Sequence, residues 1–67
     1  MTTRPEVRMG NDIARQFAHL SDDKAIEAIA RHLRTFWDPR MRAALRSAIE
    51  AGDDDVDPLL RSAAATL

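Results

Sequence analysis

The chain has 67 residues, which suffices for one small domain with a thin core, because a domain of this size buries only about 60% of its unfolded surface. It contains no cysteine, which excludes a disulfide or a thiolate metal site as reinforcement. The net charge of -1 argues against non-specific nucleic-acid binding, since that function needs a clear excess of positive charge.

The N-terminal part of the chain predicts a first helix over residues 5–19. Pro5 suits the first turn of a helix, and apolar residues then follow at the spacing of one helical face, namely Met9, Ile13, Phe17 and Leu20. Gly10 lowers helix stability by about 1 kcal/mol relative to alanine, so it either admits a closely packed neighbour or marks a frayed first turn. Residues 1–6 lack the apolar segment of a secretory signal, and no apolar run is long enough to cross a membrane. We therefore expect a soluble, cytoplasmic protein.

A second helix is predicted over residues 22–37. Ser21 is a favourable N-cap residue, and the carboxylates of Asp22 and Asp23 suit the first turn of a helix. One face of this helix is apolar, and it consists of Ala25, Ile26, Ile29, Ala30, Leu33, Phe36 and Trp37. The helix must end near Trp37, because Pro39 disfavours the helical conformation of the residue before it.

The same Asp-Pro step predicts the start of a third helix over residues 39–51. Asp38 can cap it, Pro39 fits its first position, and Gly52 is a typical left-handed terminator. A polar linker of three aspartates and a valine leads to a second Asp-Pro start and a short helix over residues 58–64. We therefore predict an all-α fold, a small bundle of three helices plus a short C-terminal helix or turn, in a single domain over residues 1–67.

The acidic linker does not match a calcium-binding loop. Asp53, Asp55 and Asp57 occupy loop positions 1, 3 and 5, but Pro58 replaces the required glycine and Ala64 the required glutamate. The two histidines lie apart from any metal-ligand spacing, and the chain has no glycine-rich phosphate loop. A chain this short can hardly bury and preorganise a catalytic site. We expect no metal site and no enzyme activity in the isolated chain.

Residues 34–42 read RTFWDPRMR and combine two adjacent aromatic residues with three arginines. Neighbouring residues on a helix point about 100° apart, so Phe36 and Trp37 cannot both face the centre of a narrow bundle. One of them either tucks under the start of the third helix or stays exposed, and the sequence does not decide which. Tryptophan with arginine is typical of a protein-protein hot spot, while a corner sealed by aromatic residues with a charged rim explains the pattern equally well.

A protein-binding role is also favoured by the choice of basic residue, since nine of the ten are arginine, although GC-rich coding would give the same bias. His32 borders the apolar face of the second helix, where packing at the boundary and a hydrogen bond to a partner are both open. The candidate partner-binding residues are His32, Arg34, Phe36, Trp37, Pro39, Arg40, Met41 and Arg42.

These residues carry a resemblance to a known family. The segment from His32 to Arg42 matches the pattern H-[LI]-[RK]-x-F-W-[DE]-P-R-M-R without a break, and Met9-Gly10-Asn11-Asp12-Ile13 and Asp57-Pro58-Leu59-Leu60 match the segments around it. The chain thereby resembles the small delta subunit of the soluble, NAD-dependent, molybdenum-containing formate dehydrogenases. It departs from the family in Gly10, where alanine is commoner, and in the aspartate run before Pro58.

The resemblance implies a non-catalytic accessory subunit. In that family the alpha subunit oxidises formate with a molybdenum bis-molybdopterin guanine dinucleotide cofactor and iron-sulfur clusters, and the electrons pass through beta and gamma subunits to FMN and NAD. Delta subunits help to assemble, mature or stabilise the active complex by contact with alpha. The chain itself is then expected to bind none of these cofactors, and no nucleic acid or membrane.

Two other functions remain open at this point. The arginines of the second and third helices would serve a small nucleic-acid-binding module, although the net charge of -1 and the lack of a recognition-helix surface disfavour it. A self-associating helical adaptor is the second alternative.

Overall fold

A computed structural model describes residues 4–67 of the chain, and in this range the fold consists of four helices and no strand. The helices are α1 (Pro5–Gln16), α2 (Asp22–Phe36), α3 (Pro39–Glu50) and α4 (Pro58–Ala64). The all-α prediction is confirmed. We expected no secretory signal in residues 1–6. Residues 1–3 of this segment lie outside the described range.

Helix α1 is shorter than the apolar periodicity indicates. It ends at Gln16, and the amide of Ala18 donates to the carbonyl of Arg15 over 3.3 Å, while that of Leu20 donates to Phe17 over 3.1 Å. Bonds to the third residue back replace the helical bonds to the fourth, so the chain leaves α1 through tight turns. His19, predicted to lie near the helix C-terminus, is exposed in these turns.

The corner between α2 and α3 forms as the Asp-Pro step predicts. Trp37 follows the last helical residue of α2 with an extended backbone (φ -92°, ψ 138°), and the Asp38 carboxylate accepts a hydrogen bond from the Met41 amide over 2.8 Å. A side-chain cap of this kind satisfies one of the free amides at a helix start. At the start of α2, by contrast, Ser21 occupies the N-cap position without a side-chain hydrogen bond.

The end of α3 is closed by backbone bonds around a left-handed glycine. Gly52 has a φ of 81°, its amide donates to the Ile49 carbonyl over 3.0 Å, and the Asp53 amide donates to the Ala48 carbonyl over 3.1 Å. These two bonds form a Schellman motif, which requires the left-handed conformation that glycine adopts without strain. The predicted role of Gly52 as terminator is confirmed.

The core lies where α2 packs against α4 and α1 against α3. Its largest fully buried side chains come from all four helices and are Val7, Ile29, Leu33, Leu45 and Leu60. Gly10 in α1 lies so close to α4 that a Cβ at this position would be 2.6 Å from Cδ2 of Leu60. Of the two explanations for this glycine, the closely packed neighbour is therefore correct.

The linker between α3 and α4 is held against α1 by one side chain. Asn11 accepts a hydrogen bond from the Asp57 amide over 2.9 Å and donates one to the Asp55 carbonyl over 2.7 Å. Val56, between them, is buried at 3% exposure and belongs to the core. The polar linker thus contributes one residue, Val56, to the core. The second Asp-Pro start forms as predicted, since the Asp57 carboxylate accepts from the Leu59 amide over 2.8 Å.

Candidate functional site

Phe36 and Trp37 lie next to each other in the chain but in opposite environments. Trp37 is 7% exposed and belongs to the core, whereas Phe36 is 71% exposed. Trp37 is the first residue after α2, and its extended backbone follows a different path from the helix. Consequently, Trp37 has almost no surface with which to contact a partner, and Phe36 is the aromatic residue that the fold leaves on the surface.

Arg42, one of the candidate partner-binding residues, binds the end of α2. Its Nη1 atom donates to the Trp37 carbonyl over 2.7 Å and lies 3.4 Å from the carbonyls of Leu33 and Arg34. These carbonyl oxygens lie at the C-terminal end of α2, which is the negative end of the helix dipole. A cation at this end stabilises the helix. Arg42 therefore ties the first turn of α3 to the last turn of α2.

The other candidate residues differ in how much surface they offer. Pro39 and Arg40 are exposed, as are Arg34 and Phe36, whereas His32 and Met41 are half-buried. Met41 packs against the core. Four of the eight predicted residues thus lie fully at the surface.

The exposed residues do not all share one face of α2. Arg34 precedes Phe36 by two positions, which places the two side chains about 160° apart around the helix axis. His32 lies one turn before Phe36, and the two rings are in contact, with centroids 4.7 Å apart and planes inclined by 43°. The structure thus brings His32 and Phe36 together and separates them from Arg34.

A shallow groove lies beside this ring pair, between α2 and the turns that follow α1. We call it the Phe36 groove, and its lining residues are Phe17, Ala28, Arg31, His32, Thr35 and Phe36. Four of them, Phe17, Ala28, Arg31 and Thr35, were not among the candidates from the sequence. The i, i+4 spacing of Ala28, His32 and Phe36 on one side of α2 was the signal that could have identified this face.

A second groove lies between α3 and α4. It is lined by Arg46, Ile49, Glu50, Arg61, Ala64 and Ala65, and it shares no residue with the Phe36 groove. Unlike the Phe36 groove, it includes both an acidic residue and basic residues. It therefore offers a matched comparison surface on the same molecule.

Basic residues outnumber acidic ones from the end of α2 to the end of α3. From Arg31 to Glu50 the sequence contains five arginines and two acidic residues, Asp38 and Glu50. Within residues 4–67, Arg31 pairs with Glu27 over 3.1 Å, while Arg34 and Arg40 form no ion pair. The exposed arginines are thus available for contact with an acidic surface.

No group of three His, Cys, Asp or Glu side chains in residues 4–67 is placed to hold a metal ion. No helix within that range is long and apolar enough to cross a membrane. Two carboxylates of the linker accept hydrogen bonds from backbone amides, that of Asp53 from the Asp55 amide over 2.9 Å and that of Asp57 from the Leu59 amide over 2.8 Å.

Comparison with known protein families identifies a match over most of the chain. The model of the family described as "NADH-dependant formate dehydrogenase delta subunit FdsD" matches residues 7–64. That range includes all of α2, α3 and α4 and most of α1. No curated protein and no solved structure matches the chain.

Proposed function

The chain belongs to the formate dehydrogenase delta subunit family, FdsD, and from that premise we propose that it is a non-catalytic subunit that binds the catalytic alpha subunit of an NAD-dependent formate dehydrogenase. Its role is to assemble, mature or stabilise the active complex. The observation that carries this proposal is the 71% exposure of Phe36 in a groove that Arg31 also lines, because large aromatic residues beside arginine are typical of binding hot spots.

The rest of the fold supports a docking role over a catalytic one. The chain builds its core from apolar residues only, and no charged or polar residue of the described range is buried. Catalytic groups require a desolvated, preorganised environment, and neither groove of this surface encloses one. In this proposal, as the family resemblance implies, alpha oxidises formate with its molybdenum cofactor and iron-sulfur clusters, and beta and gamma transfer the electrons to FMN and NAD.

Maturation of alpha is the most specific form of this proposal. A small helical subunit that binds one state of a larger partner stabilises that state by mass action. If the bound state is the one that accepts the molybdenum cofactor, the chain promotes cofactor insertion without touching the cofactor. Its effect is then visible in the metal content of alpha.

The experiment is to produce alpha, beta and gamma with and without this chain and to measure molybdenum per alpha subunit together with formate-dependent NADH formation. We expect both quantities to fall together when the chain is absent. If the complex formed without the chain has full molybdenum content but dissociates more readily, the chain stabilises rather than matures. Equal molybdenum content, activity and stability with and without the chain would contradict the proposed function.

A further inference from the structure

The Phe36 groove has an apolar floor and a single charged lining residue. Phe17, Ala28 and Phe36 provide the apolar surface, His32 and Thr35 provide polar atoms, and Arg31 provides the charge. No carboxylate lines it. A groove of this kind selects for an apolar side chain that has a carboxylate near it, because both parts of such a ligand find a matching surface.

We infer that the Phe36 groove seats an acidic amphipathic segment of the catalytic subunit, with an apolar side chain against Phe36 and His32 and a carboxylate on Arg31. This inference rests on the proposed function and deepens it, since it assigns the contact to a defined face and gives the partner segment a chemistry. It moves the binding site away from Trp37 and Arg42, which are used within the fold.

The present partner of Arg31 is one that a ligand can replace. Arg31 and Glu27 are 74% and 69% exposed, respectively, and their bond of 3.1 Å lies at the surface of α2. An exposed pair of this spacing contributes little to stability because water screens it. A partner that binds in the groove also excludes water from it, which lowers the local dielectric constant. The attraction between a carboxylate of that partner and the Arg31 guanidinium is then stronger than that of the exposed pair.

Two arginines outside the groove favour the approach of an acidic segment to this end of the molecule as well. Arg34 and Arg40 form no ion pair within residues 4–67, and the acidic residue nearest to them in the chain, Asp38, uses its carboxylate to cap α3. This positive region would attract an acidic segment before contact. A symmetric pair of this chain that placed Phe36 on Phe36 would instead bring two grooves of the same charge together, which disfavours a second copy as the occupant.

The test is to co-express the full chain, carrying an affinity tag, with alpha, beta and gamma and to measure the alpha retained per chain at about 0.05 M and about 0.5 M NaCl. The variants are Phe36→Ala, Arg31→Glu and Glu27→Gln, and the control is Arg61→Glu in the groove between α3 and α4. All four residues are exposed, so the helix content measured by circular dichroism should equal that of the wild type.

We expect Phe36→Ala and Arg31→Glu to lower the retained alpha at least about tenfold, while Arg61→Glu stays within about twofold of the wild type. Glu27→Gln removes the internal competitor for Arg31, so it should raise retention at low salt by about twofold. An increase on loss of Glu27 distinguishes charge recognition by Arg31 from a merely structural role of this helix face.

Three results would overturn the inference. If Phe36→Ala and Arg31→Glu retain as much alpha as Arg61→Glu does, the contact lies elsewhere. The proposed function would not be affected by this result. If the isolated chain sediments as a dimer and Phe36→Ala sediments as a monomer, the groove binds a second copy of the chain. No retention of alpha by the wild-type chain under either salt condition would remove the proposed function and the inference together.

Discussion

Arg42 joins two helices by donating a hydrogen bond from Nη1 to the carbonyl oxygen of Trp37 over 2.7 Å. Because a hydrogen bond from a charged group contributes about 1.5–3 kcal/mol and Arg42 is only half-buried, we expect Arg42→Ala to lower the free energy of unfolding by about 1–2 kcal/mol. Urea denaturation of the isolated chain measures this. Arg40→Ala, two positions earlier, is the matched control, and a change no larger than the control's would show that Arg42 does not hold the corner.

Asn11 should be as important for the α3–α4 linker as Arg42 is for the α2–α3 corner. Asn11→Ala removes both hydrogen bonds to the linker and leaves the half-buried Asp57 amide without its acceptor. We expect a loss of about 2 kcal/mol in the free energy of unfolding. Asp12→Ala removes only an exposed pair with Arg15 and should change stability by less than about 0.5 kcal/mol. Equal effects of the two substitutions would exclude the anchoring role of Asn11.

Gly10→Ala should destabilise the chain, although alanine is the better helix former. A methyl group at this position would lie 2.6 Å from Cδ2 and 3.0 Å from Cδ1 of Leu60, and Leu60 is fully buried. Overpacking lowers the free energy of unfolding by about 1–3 kcal/mol, whereas the better helix propensity of alanine raises it by about 1 kcal/mol. We therefore expect the free energy of unfolding to fall by about 1 kcal/mol. In the double variant with Leu60→Val the loss should be smaller than the sum of the two single losses. Strict additivity, or stabilisation by Gly10→Ala alone, would contradict the close packing of α1 on α4.

Phe36 and Trp37 should respond to alanine in opposite ways in the isolated chain. Trp37→Ala empties a core position, a change that costs about 3–5 kcal/mol, and a domain of this size has little more stability than that. We expect Trp37→Ala to be largely unfolded by circular dichroism at room temperature. Phe36→Ala should retain its helix content and its midpoint of thermal unfolding within a few degrees, because the side chain is exposed. The reverse order of stability would mean that the assignment of the two aromatic residues is wrong.

The features that the sequence predicts correctly are those set by neighbouring residues. The cap at Asp38, the start of α4 at Pro58 and the left-handed Gly52 each depend on a few consecutive positions. Periodicity alone predicted too long a first helix, since Phe17 and Leu20 keep helical spacing while the backbone already forms turns.

The features that the sequence could not predict depend on residues far apart in the chain. The partners of Asn11 lie 44 and 46 positions away, and no local pattern connects them. Whether Phe36 or Trp37 is buried likewise depends on packing against other helices. The Phe36 groove also includes Phe17 from the turns after α1, a residue that the candidates from residues 32–42 do not contain.

A site-specific photocrosslink from the edge of the Phe36 groove to the catalytic subunit tests most directly whether this groove binds alpha. Thr35→benzoylphenylalanine places a photoreactive group in the groove, and Arg61→benzoylphenylalanine places it between α3 and α4; both positions are exposed. After irradiation of cells that contain the whole formate dehydrogenase, binding of alpha at the Phe36 groove predicts a crosslink to alpha from position 35 and none from position 61. A crosslink to alpha from position 61 alone, or from position 35 only to a second copy of this chain, would contradict it.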